Sequence, residues 1–392
     1  MRLVIGLVIL TLLSVAIVPT APVYAASLND WLNGNDQKAA GQSVWDILLG
    51  LLLGNWIGRF FATDEATPPP ANGINTSTSK ELIGFYAEWW GNDTSSYRSY
   101  EQNAHIVDTI APFWATVNAD GSVSDRGGND HKAVVDFAHK NNDTVLLLVN
   151  NAKEKGNEIH QVLANPQVRA KAIANLEAYI KKYNLDGINI DFEMVDPADR
   201  DNLTVFMREL ANKLKPQGYI VTIDVMPKQN ESLDVAMAYD YAALASIVDK
   251  VILMTYDNHG AWSGPGPVAD IRWVENNLKY ALKFIPSNKL YLGIAAYGYD
   301  WSVKGVESLE YKDVAERLNR YGSTVLWDEP AKSPHFVYTD ANGIQHEVWF
   351  ENSQSLKYKL DLIKKYDLAG AAMWKLGQED PGYWQVFSQY LS

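Results

Sequence analysis

The sequence predicts an α/β protein built on a (β/α)8 TIM barrel, with a small α/β insertion between strand 7 and helix 7. Three observations carry this. From Lys80 onward, short apolar runs bounded by turn residues alternate with amphipathic stretches of helical period, the pattern of parallel βα units. The apolar runs number eight, the count that closes such a barrel. Polar residues with chemical reach gather just past the carboxyl ends of these runs, where barrels of this class place their chemistry.

The chain opens with Met1-Arg2, the apolar run Leu3–Val18 and then Val23-Tyr24-Ala25. This reads as a secretory signal peptide over residues 1–25, with retention as an uncleaved anchor the alternative. Residues 26–62 hold a second apolar segment, Val44–Phe61, in which Gly50, Gly54 and Gly58 recur every four residues. Small residues at that spacing let helices approach closely. The segment is short for a bilayer and carries Asp46, Asn55 and Arg59. It is expected to serve membrane contact or self-association, or else to pack on the barrel domain. Residues 63–79, with Pro68-Pro69-Pro70 and Gly73, read as a partly extended linker. Residues 80–392 are left as the barrel domain.

Within it, the expected strands are Leu82–Tyr86, Thr109–Trp114, Thr144–Asn150, Gly187–Phe192, Ile220–Val225, Val251–Thr255, Leu290–Ala296 and Gly370–Met373. Helices are expected at Asn165–Tyr183, Asp199–Leu214, Val274–Phe284 and Ser353–Tyr366. The first is well marked, with Asn165 as N-cap and Pro166 at its first position. An insertion of about residues 301–352 contains an Asn342-Gly343 hairpin signal and a strand at Val348-Trp349-Phe350.

The 392 residues carry a formal charge of −13, which argues against nucleic acid as a partner. There are no cysteines, so neither a disulfide framework nor a thiolate metal site is available. The seven histidines form no metal-ligand spacing, and no metal or cofactor is expected. Asn118–Asp125 lacks the calcium-loop pattern and reads as a turn.

The most informative stretch is Leu185–Glu193. Alternation puts Ile188, Ile190 and Phe192 on one face of a strand and Asn189, Asp191 and Glu193 on the other. Side chains two apart on a strand point the same way, about 6.5–7 Å apart. Burying carboxylates without a use for them is costly. A protein acid and a protein nucleophile must approach a glycosidic bond from opposite sides of the sugar. Asp191 and Glu193 are parallel neighbours and work on one side, with Glu193 the natural proton donor and Asp191 an orienting group.

Asp186-Gly187-Ile188-Asn189-Ile190-Asp191-Phe192-Glu193 resembles the signature strand of glycoside hydrolase family 18. Met254-Thr255-Tyr256-Asp257 is similar to that family's sixth-strand motif, and Ala369–Trp374 to its eighth strand ending in tryptophan. Within the family, the chain is most similar to bacterial spore-cortex and peptidoglycan N-acetylglucosaminidases, where asparagine commonly stands at the position of Asn189. The resemblance implies a retaining, substrate-assisted hydrolysis in which the 2-acetamido oxygen attacks through an oxazolinium-type intermediate. It implies Glu193 as general acid, Asp191 holding the acetamido N–H, and Tyr256 aligning the acetamido carbonyl. Trp374 floors the subsite, while Tyr86, Met254 and Asp257 complete the pocket. Core packing is the competing reading for Tyr256 and Trp374. Trp89, Trp90, Trp262 and Trp301 follow strand ends, where a glycan groove would run, with core packing the reading for some of them and none assigned individually.

Two departures bear on the substrate. Asn189 replaces the usual aspartate, so Asp191 cannot share a proton with an acid at 189, although the amide can hydrogen-bond Asp191. Strand three ends in Val149-Asn150-Asn151 rather than the Ser-x-Gly-Gly of chitinases. Both lean towards an exported, cell-surface or spore enzyme acting on peptidoglycan. A chitinase or chitooligosaccharide hydrolase, and a catalytically silent glycan-binding relative, are the alternatives.

Overall fold

The computed structural model describes residues 79–88, 93–152, 158–232 and 235–391. The signal peptide, the Val44–Phe61 segment, the linker up to residue 78, Trp89 and Trp90 lie outside the described residues.

Eight parallel strands close on themselves: β1 (Glu81–Tyr86), β2 (Thr109–Val117), β4 (Thr144–Asn151), β5 (Gly187–Asp191), β6 (Ile220–Val225), β7 (Lys250–Leu253), β8 (Leu290–Ala295) and β14 (Gly370–Trp374). β14 pairs with both β8 and β1, and β1 pairs with β2, so the barrel has no edge. Short β3 (Val123–Asp125) folds back antiparallel on β2, with Val117 opposite Val123. This hairpin extends β2 past the expected end at Trp114 and makes Asn118–Ser122 its turn. β7 ends at Leu253 rather than Thr255, which leaves Met254–Asp257 in the loop beyond it.

The period-two pattern sorts residues between two cores. Ile188, Ile190, Val221, Ile223, Leu147 and Val149 point outward into the large core under the helices. Each such burial stabilises by about 1.5–3 kcal/mol. Ile83, Phe85, Ala111, Leu148, Ile252 and Tyr291 point inward and plug the barrel. Beneath this plug, at the amino ends of the strands, Glu81 pairs with Lys250 and accepts from Thr109 and Tyr291. An ionic floor and an apolar plug therefore close one end, leaving the carboxyl end for polar groups.

Ten α-helices occur among the described residues: α1 (Ser95–Asn103), α2 (His131–Lys140), α3 (Glu158–Ala164), α4 (Pro166–Tyr183), α5 (Arg200–Leu214), α6 (Tyr241–Ile247), α7 (Ile271–Ala281), α8 (Tyr311–Tyr321), α9 (Ser353–Lys365) and α10 (Tyr383–Leu391). α4 starts as its sequence predicts: Asn165 Oδ1 accepts from Gln167 N at 3.0 Å and Val168 N at 3.3 Å. Removing such a cap costs about 1 kcal/mol. α7 begins three residues before the expected Val274, because Asp270 caps it by accepting from Arg272 N at 2.8 Å.

Between β8 and α9 lies a five-stranded antiparallel sheet in the order β10-β9-β13-β12-β11. Its strands are β9 (Tyr297–Ser302), β10 (Gly305–Glu310), β11 (Leu326–Asp328), β12 (Ser333–Thr339) and β13 (Gln345–Phe350), with α8 between β10 and β11. The expected start near 301 falls inside β9, because β8 passes into β9 with only Ala296 between them. Buried Asp300 accepts from Arg317 Nε at 2.9 Å and meets His346 Nδ1 at 2.7 Å, tying α8 and β13 to β9. Gly343, at φ 79°, makes the turn between β12 and β13.

Candidate active site

β5 brings the signature residues to the barrel mouth. Asn189 and Asp191 face inward and are 1 % and 6 % exposed. Phe192 turns back into the outer core, 5.3 Å from Phe206, and Glu193 stands half-buried at the rim. The backbone here is held from two sides. Asn151, the last residue of β4, accepts from Glu193 N at 2.9 Å and donates to Glu193 O at 3.0 Å. Tyr239 Oη donates to Phe192 O at 2.5 Å. Met194 then takes φ 55°, a left-handed turn that leads the chain off the strand.

The neighbouring strand supplies an acid that sequence reasoning misses. In the β5–β6 ladder Asn189 lies opposite Thr222 and Ile190 opposite Ile223. The next step sets Asp191 beside Asp224, on strands about 4.8 Å apart. Asp224 is 2 % exposed. Asn189, whose amide was expected to address Asp191, donates through Nδ2 to Asp224 Oδ2 at 2.7 Å and accepts from Thr222 Oγ1 at 2.5 Å. Burial first, then the charge of Asp191, pushes the Asp224 carboxyl well up, against the downward pull of the Asn189 bond. The signal was present in Ile220–Val225, where Thr222 and Asp224 alternate with Val221, Ile223 and Val225 as Asn189 and Asp191 do with isoleucines.

Tyr256 and Asp257 reach the site from the loop after β7. Gly293 on β8 makes room for the Tyr256 ring: a Cβ there would lie 3.0 Å from Tyr256 Cε1 and 2.5 Å from Leu253 O. Burial, followed by the charges of Asp224 and Asp191, pushes the Tyr256 phenol well up, so it remains a neutral donor. Asp257 sits at φ 59°. Its Oδ1 accepts from Tyr297 Oη at 2.6 Å and Tyr299 Oη at 2.9 Å. Burial nonetheless raises the Asp257 carboxyl to about 6. Both tyrosines come from β9, so the inserted sheet orients a residue of the barrel rim. Met254 is 6 % exposed, and its N–H donates to Val225 O at 3.1 Å.

Trp374 ends β14 half-buried, with its ring 5.5 Å from Phe85 and 6.3 Å from Phe113. It also packs against the aromatic cluster of Tyr297, Tyr299, Trp301 and Trp349, and so joins the barrel plug to the inserted sheet. One expectation is corrected. Tyr86 does not reach the pocket. It faces outward into the helix-side core beside Trp114 and donates to Glu88 Oε1 at 2.7 Å, while Phe85 takes the inward position. Trp301 is a packing residue, 5 % exposed, whose Nε1 donates to Gly260 O and Ser263 O.

The arrangement places one acid at the end of the fourth barrel strand and another just past it, a neutral phenol and a buried carboxyl raised above its ordinary range on the sixth-strand side, and an indole from the eighth. Among the described residues no cluster of three or more metal-ligating side chains occurs. Residues 81–379 match the family described as glycosyl hydrolases family 18.

The chain belongs to glycosyl hydrolase family 18. It is 31 % identical to the cortical fragment-lytic enzyme of Bacillus anthracis over 71 % of this chain and 66 % of that relative. The structure of the Bacillus cereus spore cortex-lytic enzyme SleL superposes with a TM-score of 0.74 at 27 % identity, covering 81 % of this chain and 76 % of that one. A chitinase from Chromobacterium violaceum superposes equally, with a TM-score of 0.74 at 30 % identity over 80 % of this chain and 99 % of that one. Family 18 membership makes the protein a glycosidase on a TIM barrel, with relatives of both cortex-lytic and chitinase type.

Proposed function

We propose that this glycosidase cleaves β-1,4 bonds at N-acetylglucosamine in peptidoglycan, with spore cortex as the form of that polymer its relatives point to. What supports the mechanism is the spacing of Asp191, which ends β5, and Glu193, two residues beyond it and half-buried, which reads as two acids working from one side of the bond. The nucleophile is then the substrate's own acetamide oxygen, and configuration is retained. Glu193 gives its proton to the leaving oxygen. Asp191 holds the acetamido N–H and balances the positive charge of the closing ring. Tyr256, kept neutral by burial, donates to the acetamido carbonyl. Asn189 orients the neighbouring carboxyl, Asp257 and Met254 line the sugar's far side, and Trp374 stacks on its C–H face. The reading of residues 1–25 as a signal peptide supports an exported enzyme at the cell surface, wall or spore.

Digestion of peptidoglycan, spore cortex and chitin, with the new reducing-end sugar identified by mass spectrometry, tests the polymer. N-acetylglucosamine at the new end of cortex fragments is the expected product. Preferential chitin cleavage would establish the second reading, which the Chromobacterium similarity supports. An N-acetylglucosamine-derived thiazoline is expected to inhibit competitively. Efficient hydrolysis of a de-N-acetylated analogue would rule out substrate assistance.

A further inference from the structure

Asp224 is the deepest acid of the site, and the roles above leave it without one. It lies one strand across from Asp191, and its Oδ2 is committed to the Asn189 amide at 2.7 Å. Its Oδ1 is buried with no hydrogen-bond partner among the described residues. An ionised carboxylate left that way is costly, whereas a protonated one is not. The titratable groups facing it are Asp191 and Glu193 from β5 and its end, Tyr239 from the segment before α6, and Tyr256 from the loop after β7. No cation is among them, so nothing offsets a second negative charge beside Asp191.

We propose that Asp224 is the positioning acid for Asp191: it holds one proton between the two strands, in the role that an aspartate at position 189 would otherwise fill. Asn189 donates an amide hydrogen bond to Oδ2, which leaves Oδ1 as the oxygen that carries the acid proton. Two buried carboxyls this close do not both ionise, and the less exposed one keeps the proton. Asp191 is then the pair's single negative charge, facing the acetamido group. The acid has moved from β5 to β6, and Asn189 is its hydrogen-bonded complement. This rests on the proposed roles of Asp191 and Glu193, and deepens them.

The test uses the full chain and two independent readouts. Difference infrared spectra at pH 7 are expected to show a protonated-carboxyl band in the natural protein that is absent from Asp224→Asn and present again in Asn189→Asp/Asp224→Asn. Asp191→Asn, which leaves Asp224 in place, covers the case in which Asp224→Asn does not fold. There the band is expected to titrate about one pH unit or more lower, the coupling expected of such a pair. In pH profiles of kcat/KM, Asn189→Asp is expected to shift the acidic limb by a similar amount, and adding Asp224→Asn is expected to return it. A band unaffected by Asp224→Asn, or an Asn189→Asp shift that persists without Asp224, would overturn the proposal. The infrared result needs no substrate, so it stands apart from the glycosidase roles, which fail separately if Glu193→Gln keeps its activity.

Discussion

Asn151 grips Glu193 by the backbone on both sides, its Oδ1 taking the Glu193 N–H at 2.9 Å and its Nδ2 giving to the Glu193 carbonyl at 3.0 Å. The clamp is 4 % exposed and links the end of the third barrel strand to the end of the fourth. It therefore fixes the backbone from which the Glu193 side chain projects. Positioning at this level governs rate more than binding.

Asn151→Ala removes both bonds and leaves a part-buried N–H and C=O without them, at a cost of up to about 1–3 kcal/mol in all. Thermal or denaturant unfolding is expected to show that loss. Steady-state kinetics are expected to show kcat falling by about tenfold or more with KM little changed. Equal effects on kcat and KM would mean that the clamp serves the fold alone.

Glu193→Gln keeps the shape of the side chain and removes its transferable proton. Turnover is expected to fall by at least ~10²-fold, while binding of N-acetylated oligosaccharides survives. Near-normal turnover in a preparation free of contaminating activity would transfer the acid's role elsewhere.

Asp257 predicts a pH dependence of stability. Its carboxyl is raised from 3.8 to about 6 in the folded protein. Between those values the folded state keeps a proton that the unfolded chain has released, so this contribution is present at low pH and is lost as pH rises through about 6. Asp257→Asn removes that dependence. The stability difference between the natural protein and the variant is expected to change by on the order of 1–3 kcal/mol from pH 4 to pH 7. A difference independent of pH would mean that Asp257 titrates normally.

The barrel closes within Glu81–Trp374, and Lys80 N donates to Leu391 O at 2.8 Å. A chain beginning at Lys80 is therefore expected to fold as a soluble monomer and to hydrolyse small substrates. One beginning at Ala26 is expected to bind lipid vesicles or to self-associate, which sedimentation with vesicles and light scattering would measure. An insoluble short chain beside a monomeric longer one would make Val44–Phe61 part of the fold.

Much of this was readable along the chain because strands announce their faces. The alternation in Gly187–Glu193 shows the polar face of β5, and the spacing of eight apolar runs shows the barrel. The inserted hairpin was legible from Asn342-Gly343. Tyr86 was not, because β1 is buried on both faces and carries large apolar residues on each. Nothing local says whether Phe85 or Tyr86 points inward.

By itself the sequence determined the fold class, the strand that ends in Asp191 with Glu193 just beyond it, and the loop that carries Tyr256 and Asp257, since each depends on the order of neighbouring residues. Only the tertiary structure decided that Asn151 clamps Glu193, that Tyr297 and Tyr299 hold Asp257, and that Asp224 stands beside Asp191. Those partners lie between 33 and 42 residues apart in the chain. Barrel closure and strand register bring them side by side, and neither quantity is written in any single strand.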